Sequence, residues 1–136
     1  MKRKATAIWN GTGKDGKGHV TTQSSTLNKT QYSYKSRFEE GVGTNPEELV
    51  AAAHAGCFAM KLSFILQEAG FTPDELNTEC VVTFDNGMIA QSDLTLKAKV
   101  PGITQDKFQQ AANEAKETCP ISKSLTAKIS LNASLA

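Results

Sequence analysis

A chain of 136 residues is about the size of one ordinary domain, so the sequence predicts a single domain over residues 1–136. Hydrophobic residues at 39% and charged residues at 21% suit a soluble globular protein and argue against disorder or a fibrous repeat. Fifteen basic against fourteen acidic side chains leave a formal charge of +1, which gives nucleic-acid binding no electrostatic footing and an anionic membrane surface little more.

The basic start, Met1 to Lys4, runs into a Gly- and Lys-rich stretch rather than an apolar one, so no secretory signal is expected. Lys4 to Trp9 reads as a strand, Gly11 to Gly18 as a flexible loop, and His19 to Ser24 as a second strand. Gln31 to Phe38 reads as a third. There Tyr32, Tyr34 and Phe38 alternate with polar residues, and Arg37 falls on the polar face. A helix then starts near Pro46, with Asn45 as N-cap and Glu48 three residues on as in a capping box, and runs to about Ala69 before Gly70 stops it. Glu79 to Asp85 and Asp93 to Val100 read as strands joined through Asn86-Gly87, Thr104 to Lys116 as a helix, and the tail from Ile129 to Leu135 as a last strand. Antiparallel hairpins in the order βββαββαβ predict an α+β domain.

The helix after Pro46 would be roughly 36 Å long at ~1.5 Å per residue. His54, Lys61 and Glu68 form its one polar stripe, and leucines, Val50, Met60, Phe64 and Ile65 cover most of the rest, so the pattern predicts a buried central helix. The same three polar residues interrupt the longest apolar stretch, so no membrane span is expected. Ala51, Ala52, Ala53, Ala55, Gly56 and Ala59 leave room for another backbone, which suggests close helix packing across a homodimer.

Three cysteines make no closed disulfide framework and point to a reducing cytoplasm, where free thiols are packing or chemistry. Cys57 stands on the long helix between an apolar flank (Val50, Ala53, Met60, Phe64) and a basic one (His54, Lys61). It is either a small hydrophobe or a thiol whose pKa a nearby cation lowers. His54 and Cys57 could also supply two metal ligands from one helix face, short of the four of a closed site. Cys119 precedes Pro120 and takes the N-cap position of a short helix through Leu125, facing unpaired amides with Lys116 and Lys123 near in sequence. Cys80 alternates with Val82 and Phe84 along a strand and reads as core.

The segments Arg37-Phe38, Gly43 to Leu49, Ala51 to Phe58 and Cys119 to Lys123, with Ala69 to Pro73 and Val100 to Ile103, resemble the OsmC/Ohr family, closest to its osmotically inducible protein C branch, over nearly the whole chain. The resemblance implies an OsmC-like α+β fold with antiparallel sheets around a long central helix, an intertwined homodimer with sites at the subunit interface, and reduction of peroxides by thiols without metal or prosthetic group. Carried over by position, it makes Cys57 the peroxidatic thiol, Cys119 the resolving thiol, Arg37 the site cation and Glu47 the carboxylate that holds it. Glu47 and Cys57, ten residues apart on one straight helix, would be roughly 15 Å apart along its axis, so a second subunit or the reach of Arg37 has to connect them.

A thiolate at Cys57 would attack the distal peroxide oxygen and become a sulfenic acid, which Cys119 closes to a disulfide; a fixed guanidinium would steady thiolate and leaving oxygen. A dithiol reductant, such as a lipoyl-type one, would complete the cycle. The apolar flank of Cys57 predicts organic hydroperoxides as better substrates than hydrogen peroxide, at ~0.8 kcal/mol for each buried methylene. Two rivals stand beside this reading. One is a metal or small-ligand binding module using His54 and Cys57, and the other is a cysteine hydrolase, which needs a histidine base aimed at its thiol.

Overall fold

The computed structural model describes all residues from Met1 to Ala136, and the chain forms two compact units, Met1–Leu49 and Val50–Ala136. In the first, β1 (Ala5–Asn10), β2 (Lys17–Thr22) and β3 (Thr30–Tyr32) make an antiparallel sheet in that order. The alternation expected to carry the third strand to Phe38 breaks at Ser33. This residue caps a five-residue helix, α1 (Tyr34–Phe38), by accepting from the Ser36 amide while the Ser36 hydroxyl accepts from the Ser33 amide. Arg37 therefore lies on a helix rather than on the polar face of a strand. Tyr34 and Phe38, spaced for alternation, are also spaced i, i+4, and their ring centroids stand 5.1 Å apart on the helix. Gly43, at φ +114, takes a conformation L side chains rarely adopt and brings the Thr44 amide onto the Gln31 carbonyl at 2.8 Å.

The long helix α2 (Pro46–Glu68) begins where its caps predict, with Asn45 Oδ1 accepting from the Glu48 amide at 2.7 Å. Glu48 does not reach back to complete the capping box; its Oε2 accepts from the Thr44 hydroxyl at 2.7 Å.

In the second unit β4 (Glu75–Asp85) and β5 (Met88–Lys99) pair antiparallel across a two-residue turn in which Asn86 (φ 51) and Gly87 (φ 79) both take positive φ, the arrangement that matches strand twist. Two helices follow, α3 (Gln105–Thr118) and α4 (Pro120–Ser124), before β6 (Lys128–Leu135). The α+β class holds, but one pairing departs from the all-antiparallel expectation: β6 runs parallel to β5, because residues 100–127 cross over between them and return the chain to the same end of the sheet. Ser92, Leu94, Leu96 and Ala98 alternate onto the covered face of β5. Leu94, Leu96 and Ala98 meet Phe58, Leu62 and Leu66 of α2 and Phe108, Ala112 and Ala115 of α3 in one core. Truncating Phe58 there would cost about 3–5 kcal/mol.

The α2 helix is not covered all round as its composition suggested. His54, Phe58, Leu62 and Leu66 form a buried stripe, whereas Met60 and Phe64 are 65% and 56% exposed. By length and composition this helix also qualifies as a membrane span, with mean hydropathy 1.7, despite His54, Lys61 and Glu68. Its buried stripe packs into protein, as in a core helix, and its histidine is satisfied there by protein hydroxyls.

Candidate active site

In the N-terminal unit a charged pair is built from the α1 cap upward. The Ser36 hydroxyl donates to the Thr44 carbonyl at 2.8 Å and the Asn45 side chain donates to the Ser36 carbonyl at 3.0 Å, which ties α1 to the first turn of α2. That tie sets Arg37 opposite Glu47. The guanidinium Nε donates to both carboxylate oxygens at 3.0 and 3.2 Å, and Nη2 donates to Oε1 at 2.8 Å. Two-point contact of this kind is stronger and more directional than a single ion-pair contact. Burial alone would raise the Glu47 pKa, but the Arg37 hydrogen bonds, a backbone hydrogen bond and the Arg37 charge together hold it below its ordinary value. Arg37 stays 37% exposed against 15% for Glu47, and its guanidinium lies 4.8 Å from the centroid of the Phe38 ring. Beside it Trp9, Tyr32, Tyr34 and Phe38 line an open pocket of about 250 Å³.

In the second unit α2 and α4 bring two sulfurs together. Cys57, half-buried, and Cys119, fully buried, are both free, and Cys119 is near enough to raise the Cys57 pKa. Cys119 is the N-cap residue of α4 with Pro120 in the first turn, as the sequence predicted. Its sulfur makes no capping bond, however. The Ile121 backbone instead draws the Cys57 pKa down, so the start of α4 acts on the other cysteine.

The expectation that a neighbouring cation lowers the Cys57 pKa is only partly met. Burial first, and then the hydrogen bond to Cys119, push the thiol above its ordinary range, while the Ile121 amide and the Lys61 charge pull the other way without offsetting them. The balance favours the protonated form of the Cys57 thiol.

His54 is not part of a solvated stripe. It is wholly buried, with Nδ1 2.6 Å from the Ser92 hydroxyl of β5 and Nε2 2.7 Å from the Ser122 hydroxyl of α4. Burial lowers its pKa and keeps the imidazole neutral. With both ring nitrogens engaged by serines, neither is presented to a metal. The sulfur in hydrogen-bond contact with it is that of Cys80, 3.9 Å from Nδ1, whereas a hydrolase pair would need that of Cys57. Cys80 is half-buried on the covered side of β4. Its thiol lies 3.2 Å from the Ser92 hydroxyl, and burial pushes it up. No signal in the sequence linked His54 to Ser92 and Ser122, because neither serine belongs to a motif.

An α+β chain with two free cysteines in thiol–thiol contact, one on a long helix and one capping a short helix through a Cys-Pro step, defines a dithiol protein. The model of the OsmC-like protein family matches residues 39–134, and this chain belongs to that family. It is 44% identical to Peroxiredoxin OsmC of Escherichia coli K12 over 97% of this chain and 95% of that one. It is 28% identical to the organic hydroperoxide resistance protein OhrB of Bacillus subtilis over 87% and 88%. Among solved structures, an OsmC-like protein from Mycoplasma pneumoniae superposes with a TM-score of 0.78 over 100% of this chain and 98% of that one at 14% identity. The Bacillus subtilis OhrB structure does so at 0.65 over 98% of each at 25% identity.

Proposed function

We propose that this protein is a cysteine-based peroxidase that reduces organic hydroperoxides in the cytoplasm, its 136 residues acting as one domain. The observation that carries the reading is the thiol–thiol contact of Cys57 and Cys119. The Cys57 thiolate attacks the distal oxygen of ROOH, the O–O bond breaks, and the alkoxide leaves and takes a proton as ROH. Cys57 is left as a sulfenic acid. The Cys119 sulfur then bonds to the Cys57 sulfur, the S–O bond breaks, and hydroxide leaves with the Cys119 proton as water. Two electrons from a dithiol reductant, such as a lipoyl-type thiol, return both cysteines to thiols.

Because burial holds the Cys57 thiol up, this chemistry calls for a fixed positive charge beyond Lys61. We assign that task to Arg37, held in a two-point pair by Glu47. The aromatic pocket beside Arg37 supports an organic rather than a bare peroxide. The protein acts as a homodimer. Support comes from the exposed Ala53, Gly56, Met60 and Phe64, which follow one another at helical spacing on α2 and give a second copy an apolar strip with little side-chain bulk at one end.

Thiol counting after one equivalent of cumene hydroperoxide tests the reaction. Two thiols lost per chain is the expected result, and no loss overturns it. Light scattering should give twice the chain mass; an active monomer at high dilution overturns the dimer.

A further inference from the structure

The two cysteine-bearing helices are gripped at a second point that the thiol chemistry itself does not use. His54 and Cys57 stand three residues apart on one face of α2, and Ile121 and Ser122 are neighbours on α4. The Ile121 backbone is near enough to act on the Cys57 thiol, and His54 Nε2 shares a 2.7 Å hydrogen bond with the Ser122 hydroxyl. The other nitrogen, Nδ1, is fastened at 2.6 Å to Ser92 of β5, so the imidazole is anchored to the sheet on one side and holds α4 on the other. The ring is wholly buried, and a neutral imidazole has one donor and one acceptor nitrogen, which the two hydroxyls satisfy together.

We propose that His54 is the positioning residue for disulfide closure: through Ser122 it keeps the Cys119 end of α4 against Cys57 after Cys57 has been oxidised. The inference rests on the peroxidase reading but concerns its second step. When Cys57 becomes a sulfenic acid, the hydrogen bonds to its sulfur are those that the new oxygen disturbs. The His54–Ser122 bond contains no reacting atom and survives. Closure between two groups held in place is effectively unimolecular, and its rate falls steeply when one of them is loosened.

The test separates the two chemical steps in His54→Gln and Ser122→Ala proteins shown to be folded by circular dichroism. Cys57 sulfenic acid formation, followed by dimedone trapping after one equivalent of cumene hydroperoxide, should stay within about twofold of the parent in Ser122→Ala. Disulfide closure, followed by mass spectrometry under acid quench, should slow at least tenfold in both variants, with sulfenic acid accumulating and excess peroxide carrying it on to sulfinic acid. Ser122→Thr, which keeps the hydroxyl, should close at close to the parent rate. A merely structural histidine would lower the melting temperature and leave the ratio of the two steps alone. An unchanged closure rate in folded Ser122→Ala, or a Ser122→Thr protein as slow as Ser122→Ala, overturns the proposal.

A readout without peroxide keeps it apart from the reaction. Equilibrating the Cys57–Cys119 disulfide against reduced and oxidised dithiothreitol should show the effective concentration of the two thiols at least tenfold lower in Ser122→Ala. An equal value overturns the positioning role even if the peroxidase activity stands, and a protein inert to hydroperoxide would still yield this measurement.

Discussion

The Arg37–Glu47 pair and the Cys57–Cys119 pair sit in opposite physical settings. The first is ionic, partly open to water and fixed by three hydrogen bonds between side chains. The second is buried and uncharged, with burial and a thiol–thiol bond holding Cys57 in its neutral form. A guanidinium keeps its charge in either setting, whereas a thiol loses its charge when it loses water. The comparison teaches that the element with permanent charge has been placed where charge is inexpensive to keep. In the proposed reaction the thiol has to be charged only while it reacts, and burial favours its neutral form until then.

The severest break in that comparison is the loss of the thiol itself. Cys57→Ser should remove stoichiometric peroxide consumption altogether, since a serine hydroxyl is not appreciably ionised at neutral pH. Cys119→Ser should consume one equivalent and stop as a sulfenic acid, as mass spectrometry of the quenched protein would show. Removing the permanent charge comes next. Arg37→Ala should slow sulfenic acid formation on the order of tenfold to a hundredfold and raise the thiolate transition seen by ultraviolet absorbance against pH. Glu47→Gln, which leaves the charge but loosens it, should act in the same direction and less.

Acid should sharpen the contrast further. His54 has its pKa lowered by burial, so the folded state binds fewer protons than the unfolded chain as pH falls below about 6.5. The stability it contributes is complete above that value and is lost as pH falls toward the folded pKa. Glu47, also lowered, gives its contribution above 4.5 and loses it below. Melting temperature between pH 7 and 5 should therefore drop in the parent and drop less in His54→Gln, while Glu47→Gln should flatten only the more acidic limb. The smallest effect belongs to Cys80. It is a half-buried thiol beside Ser92 that the proposed reaction does not use, so Cys80→Ala should turn over normally and change stability by about 1 kcal/mol or less.

What the sequence revealed follows the range of the forces involved. Asn45-Pro46 and Asn86-Gly87 act within a few residues, and both the start of α2 and the β4–β5 turn fall where they predict. Cys119-Pro120 placed its helix for the same reason. The segment after Tyr32 misled because Tyr34 and Phe38 fit both a period of two and a spacing of four, and a serine pair decided for the helix. The parallel partner of β5 and the burial of His54 were out of reach. Both depend on residues far along the chain: β6 in one case, Ser92 and Ser122 in the other. For the proposed site, the family resemblance named four side chains, whereas the histidine that joins α2 to α4 became visible only once the chain was folded.

The parallel pairing of β5 with β6 also orders events in time. The β4–β5 hairpin closes over two residues and can form as soon as both strands exist, on the microsecond scale of hairpins. Pairing of β6 must first close the whole span of residues 100–127, which contains α3, Cys119 and α4. Long-range closure of that kind comes late in folding. Ser122 and Cys119 follow the hairpin in the chain, and their approach to His54 and Cys57 closes a far longer loop than the hairpin does. A chain made only as far as β5 carries Cys57 without Cys119, so the bridge between them has to wait for the residues that follow β5.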